Sequence, residues 1–269
     1  MSIAEGILLA SQSPRRRELI KLLGLPVQAA SANIDETPLP HEAPAVYVRR
    51  LAAAKVRALT HVLSGGRSAA TPKVEGRGSE RQRTASAEPP TSSQNALTPT
   101  PSPRGRGAMR WVVAADTAVV DGDEILGKPA DEAEAAAMLR RLRGREHAVL
   151  TGVAVLDAAT GRLETAVERT AVFMRAFTDE EIAAYVASGD PMDKAGAYAI
   201  QNRGFSPVVR IEGCYANVVG LPLCTLACML RALGASPAEN TPARCTAALG
   251  YNCEGAFPAC GQTFGNAGP

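Results

Sequence analysis

Short stretches scattered along this 269-residue chain hold side chains that could work on a polyanion. The first is Ser11-Gln12-Ser13-Pro14-Arg15-Arg16, directly after the apolar run Ile7–Ala10. Ser13 before Pro14 reads as an N-cap followed by proline at the first helical position. A helix start presents unpaired N–H groups and the positive end of the helix dipole, and anions bind there readily. The hydroxyls of Ser11 and Ser13 add donors. Arg15 and Arg16 add fixed positive charge in a fork that suits phosphate. The same residues read equally well as an ordinary capped helix with solvated arginines.

Further on, Asp116 falls at the expected C-terminal end of an apolar strand, Val112–Ala115, and ligands of α/β sheets gather at such ends. A carboxylate there can hold a divalent ion or take a proton from water, or can simply cap a loop. Lys128, between Gly127 and Pro129, and Lys55, on an expected helix, could neutralise phosphate oxygens or could be solvated. In Asp193–Gln201 the small residues let a ligand approach the backbone. Gln201 offers a donor and an acceptor that match the N3–H and O4 edge of thymine or uracil. Taken alone, that stretch is more simply a polar loop.

The elements that must position these groups follow from periodicity and punctuation. Ile7–Ala10 predicts a buried strand, and a helix then runs from Pro14 to the stop at Gly24. A second helix is expected over Pro44–Leu63, with Val46, Leu51, Val56 and Leu59 buried. Asp121-Gly122 predicts a hairpin turn. A helix begins at Asp131 and stops at Gly144, and two long strands, His147–Leu156 and Thr165–Met174, turn near Gly161. Thr178 to Glu181 is a capping box that opens another helix. Val208–Ile211 reads as a strand and Leu221–Leu233 as the final helix. Strands and helices alternate without strict βαβ regularity, which predicts an α/β fold with a mixed sheet. Residues from about 65 to 107 hold six prolines and little large apolar surface, so they are expected to form a disordered insertion in one domain, 1–234. Residues 235–269 read as a loosely ordered extension.

Composition removes several classes. A net charge of +2 gives no reason to expect nucleic acid or an anionic membrane as partner. The arginines of the insertion lack the interleaved aromatics that base stacking needs. No apolar run is long enough to span a bilayer. Met1–Gly6 has no basic-then-apolar leader, which predicts a cytoplasmic location. Six cysteines without a CxxC pair, and three histidines far from them in sequence, predict scattered reduced thiols, with a disulfide or metal clip in the tail as the lesser alternative.

Taken together and in order, SQSPRR (11–16), IDET (34–37), RLAAAK (50–55), AADT (114–117), GKP (127–129), HAVLTG (147–152), YVASGDPMDKAGAYAIQ (185–201) and NVVGLPL (217–223) resemble the Maf family of nucleoside triphosphate pyrophosphatases. The resemblance covers nearly the whole chain outside the insertion and the tail. It implies an elongated α/β fold, related to inosine-triphosphate pyrophosphatases, with a mixed central sheet and a cleft between two lobes. It also implies hydrolysis between the α- and β-phosphates with a divalent cation, commonly Mg²⁺ or Mn²⁺. Asp116 would be the proton acceptor and would share the metal with Glu36. Lys55 and Lys128 would complete the catalytic set, and Arg15, Thr117 and Gln201 would set specificity. The DKAGAY form with its following Gln resembles the dTTP/UTP branch. The family's usual glycines beside that Gln are Ala199 and Asn202 here. Homodimerisation is a family expectation. The alternative is a non-catalytic, nucleotide-binding regulator of cell division and septum formation.

Overall fold

The computed structural model describes residues 5–63, 109–251 and 265–266; the expected insertion at about 65–107 lies outside them. Strand β1 (Gly6–Ala10) is buried along its whole length. The Ser13 side chain caps helix α1 (Pro14–Lys21), accepting from the Arg16 N–H at 3.4 Å. Strand β2 (Val27–Ala30) and helix α2 (Pro44–Leu63) follow. Then come β3 (Met109–Asp121), β4 (Glu124–Leu126), α3 (Glu132–Leu142), β5 (Glu146–Asp157) and β6 (Leu163–Met174). Helix α4 (Asp179–Ala187) leads through two 3₁₀ turns, Asp190–Asp193 and Ala195–Ala197, to β7 (Val208–Glu212). Helices α5 (Tyr215–Val219), α6 (Leu223–Ala232) and α7 (Thr241–Leu249) and strand β8 (Gly265–Asn266) complete the order.

The sheet runs β2-β1-β3-β5-β6-β7, with β4 on β3 and β8 on β6. Strands β2, β1 and β3 are parallel and the other pairings antiparallel, so the expected mixed sheet is present.

The site owes its existence to how β3 is shared. On one edge β1 pairs with β3 as far as Val113, and β4 takes up that edge only at Val119. Between them Ala114–Ala118 pair with β5. The core divides at the same place. Trp111, Val113 and Ala115 face a cluster built on α1 and α6, and Val112 and Ala114 face a cluster on α2. Beyond the break, Val119 joins a cluster with α3 and α4, while Ala118 and Val120 join Val48 of α2. Asp116 and Thr117 sit at the seam between these two halves. Strand alternation sends Asp116 toward α2 and Thr117 toward α1 and α5.

Helix α2 reaches the seam because β5 offers it a glycine. A Cβ on Gly152, the cross-strand partner of Asp116, would stand 2.2 Å from the Val48 carbonyl oxygen. Val48 and Lys55 are seven residues apart and share a helix face. Seating Val48 on Gly152 therefore carries Lys55 to Asp116.

The structure corrects several expectations. Asp116 is not at a strand end; β3 continues to Asp121 on its pairing with β5, and what ends near Asp116 is the β1 partner. Val46 is 53% exposed, because it lies about 200° round the helix from Val48. Helix α6 is not the last: α7 lies in the stretch expected to be loosely ordered and packs Cys245 into the core with Leu249 beside it. Cys228 is disulfide-bonded instead of reduced.

Candidate functional site

A cavity of about 1140 Å³ opens at the seam of β3. Ser11, Ser13, Arg15, Arg16, Glu36, Lys55, Asp116, Thr117, Lys128 and Gln201 all line it. These residues come from parts of the chain as distant as the β1–α1 junction and the loop after the second 3₁₀ turn. The break in strand pairing is what brings them together.

One wall carries a charge cluster. Lys55 Nζ lies 2.5 Å from Asp116 Oδ1 and 2.7 Å from Glu36 Oε1. The side chains of Lys55 and Asp116 are each 11% exposed and that of Glu36 is 56% exposed, so the cluster runs from the floor of the cavity to its mouth. Tyr47, one face of α2 away, donates its hydroxyl to the Glu36 carbonyl at 3.0 Å. Burial, with the negative charges of Asp116 and Glu36, pushes the Tyr47 phenol up to about 12. Tyr47 therefore stays protonated beside the cluster.

A second part of the lining is the start of α1. Ser11 Oγ accepts from the Ser13 N–H at 3.2 Å, which fixes the turn into the helix. Arg15 is exposed to the cavity, whereas Arg16 is engaged by the protein. Its Nε donates to the Gly220 carbonyl at 2.7 Å and its Nη2 to Thr117 Oγ1 at 2.9 Å. Burial lowers the Arg16 pKa and the nearby Asp116 carboxylate opposes that shift. Thr117 Oγ1 also lies 2.9 Å from Thr151 Oγ1, and Thr151 donates to the Asn217 carbonyl at 3.1 Å. Thr117 is thus the end of a buried relay that joins β3, β5 and α5.

A third part of the lining is the 190–202 segment and the loop after β4 that carries Lys128. The Gly196 N–H donates to the Gly127 carbonyl at 3.0 Å, joining the two. Gly196 has φ of 68°, and a Cβ there would stand 2.8 Å from Val119 Cγ1, so only glycine lets this segment lie on β3. Lys128 and Gln201 are both exposed to the cavity. Neither Ala199 nor Asn202 is among the residues with positive φ. Their departure from glycine therefore changes side-chain volume and hydrogen bonding and not the backbone conformation. A hydrogen bond from Lys194 holds the Asp193 carboxyl below its usual range, with a smaller contribution from Arg15.

Sequence reading missed Tyr47, Thr151, Asn217 and Lys194. The motifs HAVLTG, NVVGLPL and DKAGAY contained three of them, but a hydroxyl or amide that serves another side chain leaves no spacing signal of its own. Among the described residues no group of three or more His, Cys, Asp and Glu side chains forms a metal cage. Asp116 and Glu36 converge on one ammonium, which is the donor set expected where substrate phosphates supply the remaining oxygens.

A family model described as Maf-like protein matches residues 6–233. The dTTP/UTP pyrophosphatase of Pelotomaculum thermopropionicum is 42% identical over 228 residues, covering 85% of this chain and 96% of that protein. The dTTP/UTP pyrophosphatase of Geobacter sulfurreducens is 42% identical over 229 residues, covering 85% of this chain and 97% of that one. A third, from Salinibacter ruber, is 42% identical over 239 residues, or 88% and 95% of the two chains. The chain belongs to the Maf family. No helix among the described residues is long and apolar enough to cross a membrane.

Proposed function

We propose that this chain is a hydrolase that cuts dTTP and UTP between the α- and β-phosphates, releasing the nucleoside monophosphate and pyrophosphate. One observation carries this reading: the Lys55–Asp116–Glu36 cluster and the cationic start of α1 line a single cavity. The names of the relatives supply the choice of nucleotide.

Each residue then has a task. Arg15, the hydroxyls of Ser11 and Ser13, and the N–H groups at the start of α1 bind the triphosphate. Arg16 stiffens that wall through Thr117 and Gly220. Asp116 accepts a proton from the water whose oxygen bonds to the α-phosphorus. As that bond forms, the bond from the α-phosphorus to the bridging oxygen breaks, and pyrophosphate leaves with the electron pair. Lys55 and Lys128 meet the charge that develops on the phosphates. Asp116 and Glu36 would hold a divalent cation, Mg²⁺ or Mn²⁺, together with phosphate oxygens. When bound, such a cation neutralises phosphate charge and acidifies its water. Gln201 reads the pyrimidine edge.

On this reading one domain spans 1–234, interrupted at about 65–107 and extended by 235–269, in a cytoplasmic homodimeric enzyme. The test is pyrophosphate release from UTP, dTTP, CTP and GTP with Mg²⁺ or Mn²⁺. UTP and dTTP are expected to be the preferred substrates. Absence of release from all four, or a preference for GTP, would overturn the proposal.

A further inference from the structure

The segment that presents Gln201 is held from behind by groups that do not touch the nucleotide in the reading above. Asp190 is the hub. Its Oδ2 accepts the Tyr185 hydroxyl at 2.6 Å and the Asn202 amide at 3.1 Å. Lys194 Nζ lies 2.5 Å from the Asp190 carbonyl oxygen and 3.0 Å from Oδ1. The Tyr185 hydroxyl also accepts the Ala199 N–H at 3.1 Å. Asn202 uses its second function as well, since Oδ1 accepts the Phe205 N–H at 2.8 Å.

These bonds grip the 194–202 segment at both ends and in the middle. Their anchor is rigid. Tyr185 is 5% exposed on α4, and its ring stacks on Phe205 with centroids 4.2 Å apart. Burial alone would raise the Asp190 carboxyl, but hydrogen bonds from Tyr185, Lys194 and Asn202 hold it low, so the hub stays charged and accepting.

We infer that Tyr185, Asp190 and Asn202 are positioning residues that preset the Gln201 loop for the base and thereby set pyrimidine selectivity. This rests on the pyrophosphatase reading only for the substrate it names. A preset loop removes the ordering cost of reading the base. Loosening it should raise KM and blunt discrimination, while the phosphate chemistry around Asp116 continues.

The experiment uses the full chain and three variants, Tyr185→Phe, Asn202→Ala and Asp190→Glu. The first readout is amide hydrogen exchange over residues 194–202 without nucleotide. Tyr185→Phe removes both bonds of the hydroxyl, and exchange at Ala199 is expected to rise about tenfold, the size of one or two lost hydrogen bonds. The second readout is kcat and KM for UTP and CTP. Tyr185→Phe and Asn202→Ala are expected to raise KM for UTP by about tenfold and to narrow the UTP-to-CTP ratio of kcat/KM, with kcat kept within about twofold. Asp190→Glu, which keeps the charge, should retain more selectivity than Tyr185→Phe.

Unchanged exchange, an unchanged UTP-to-CTP ratio, or a fall in kcat common to both nucleotides and tracking lost melting temperature would overturn the inference. An inactive wild-type chain would sink the pyrophosphatase reading instead, and the exchange readout would still decide the clamp.

Discussion

Asp116 carries the most weight for the least change in shape. Asp116→Asn keeps the volume but removes the carboxylate that takes the proton and that Lys55 neutralises. Turnover of UTP is expected to fall by about 10²-fold or more, the usual worth of a general base. A melting curve near that of the wild type would confirm that chemistry and not folding was lost. At the other end of the cavity, Gln201→Ala should leave pyrophosphate release measurable while flattening the preference for UTP over CTP. An unchanged preference would remove Gln201 from base reading.

His147 makes a different prediction, about pH. Its ring is 3% exposed and sits 2.8 Å from the Tyr198 hydroxyl, with Nδ1 lacking a hydrogen-bond partner. Burial lowers its pKa from 6.5 to about 4, against a small opposing effect of Asp121. The folded state therefore favours the neutral ring, and between pH 6.5 and 4 the unfolded chain binds the extra proton. Stability should be at full value above the upper limit and decline as pH falls through that window, by up to roughly 1.4 kcal/mol per unit. The depressed carboxylates act only at the foot of that window and below it, glutamates such as Glu42 and Glu124 from their ordinary 4.5 and aspartates such as Asp121 and Asp157 from 3.8. Denaturant unfolding of the wild type and of His147→Gln between those limits tests this: the variant should show the shallower slope.

At the scale of elements, the site depends on close approach. Gly152→Ala would put a methyl group into the backbone of α2 at Val48, so the helix must lift from β5. Overpacking of that kind costs about 1–3 kcal/mol, and here it also withdraws Lys55 from Asp116. Activity should fall by more than the loss of folded protein explains, as read by kcat beside a denaturation curve. A variant that is destabilised but fully active would show that the helix height is immaterial. The elements themselves were largely legible. Pro44–Leu63 is helical over the span its periodicity predicts, and Ser13, Asp131 and Thr178 cap the helices they were expected to cap. The misses have physical causes. Val27–Ala30 is too short and small to declare a strand, and α7 shows too few inward apolar residues to stand out from a Gly/Ala-rich tail. The length of β3 was missed because Asp116 and Thr117 look like a strand terminus, whereas pairing with β5 carries the chain straight through them.

At the scale of the molecule, the site is a consequence of where pairing stops. Residues close in space here are far apart in sequence, and no local pattern tells that β1 ends at Ala10 while β3 continues. The resemblance to a family named the residues, and the coordinates supply the reason that they meet. Helix α2 and β3 flank the seam, so the chain between them bears on whether the site needs anything more. Replacing residues 65–107 with a short Gly/Ser linker is expected to leave UTP turnover within about twofold, since six prolines and few large apolar side chains suit a passive loop. A loss of activity beyond that would make the segment part of the enzyme.

The most direct measurement is a product analysis of UTP hydrolysis in heavy-oxygen water with Mg²⁺, for the wild type and Asp116→Asn side by side. The expected result is UMP and pyrophosphate from the wild type, with the heavy oxygen in UMP, and almost no product from the variant. UDP with inorganic phosphate, label in the pyrophosphate, or equal turnover by the variant would contradict water attack at the α-phosphorus from the Asp116 side of the cavity.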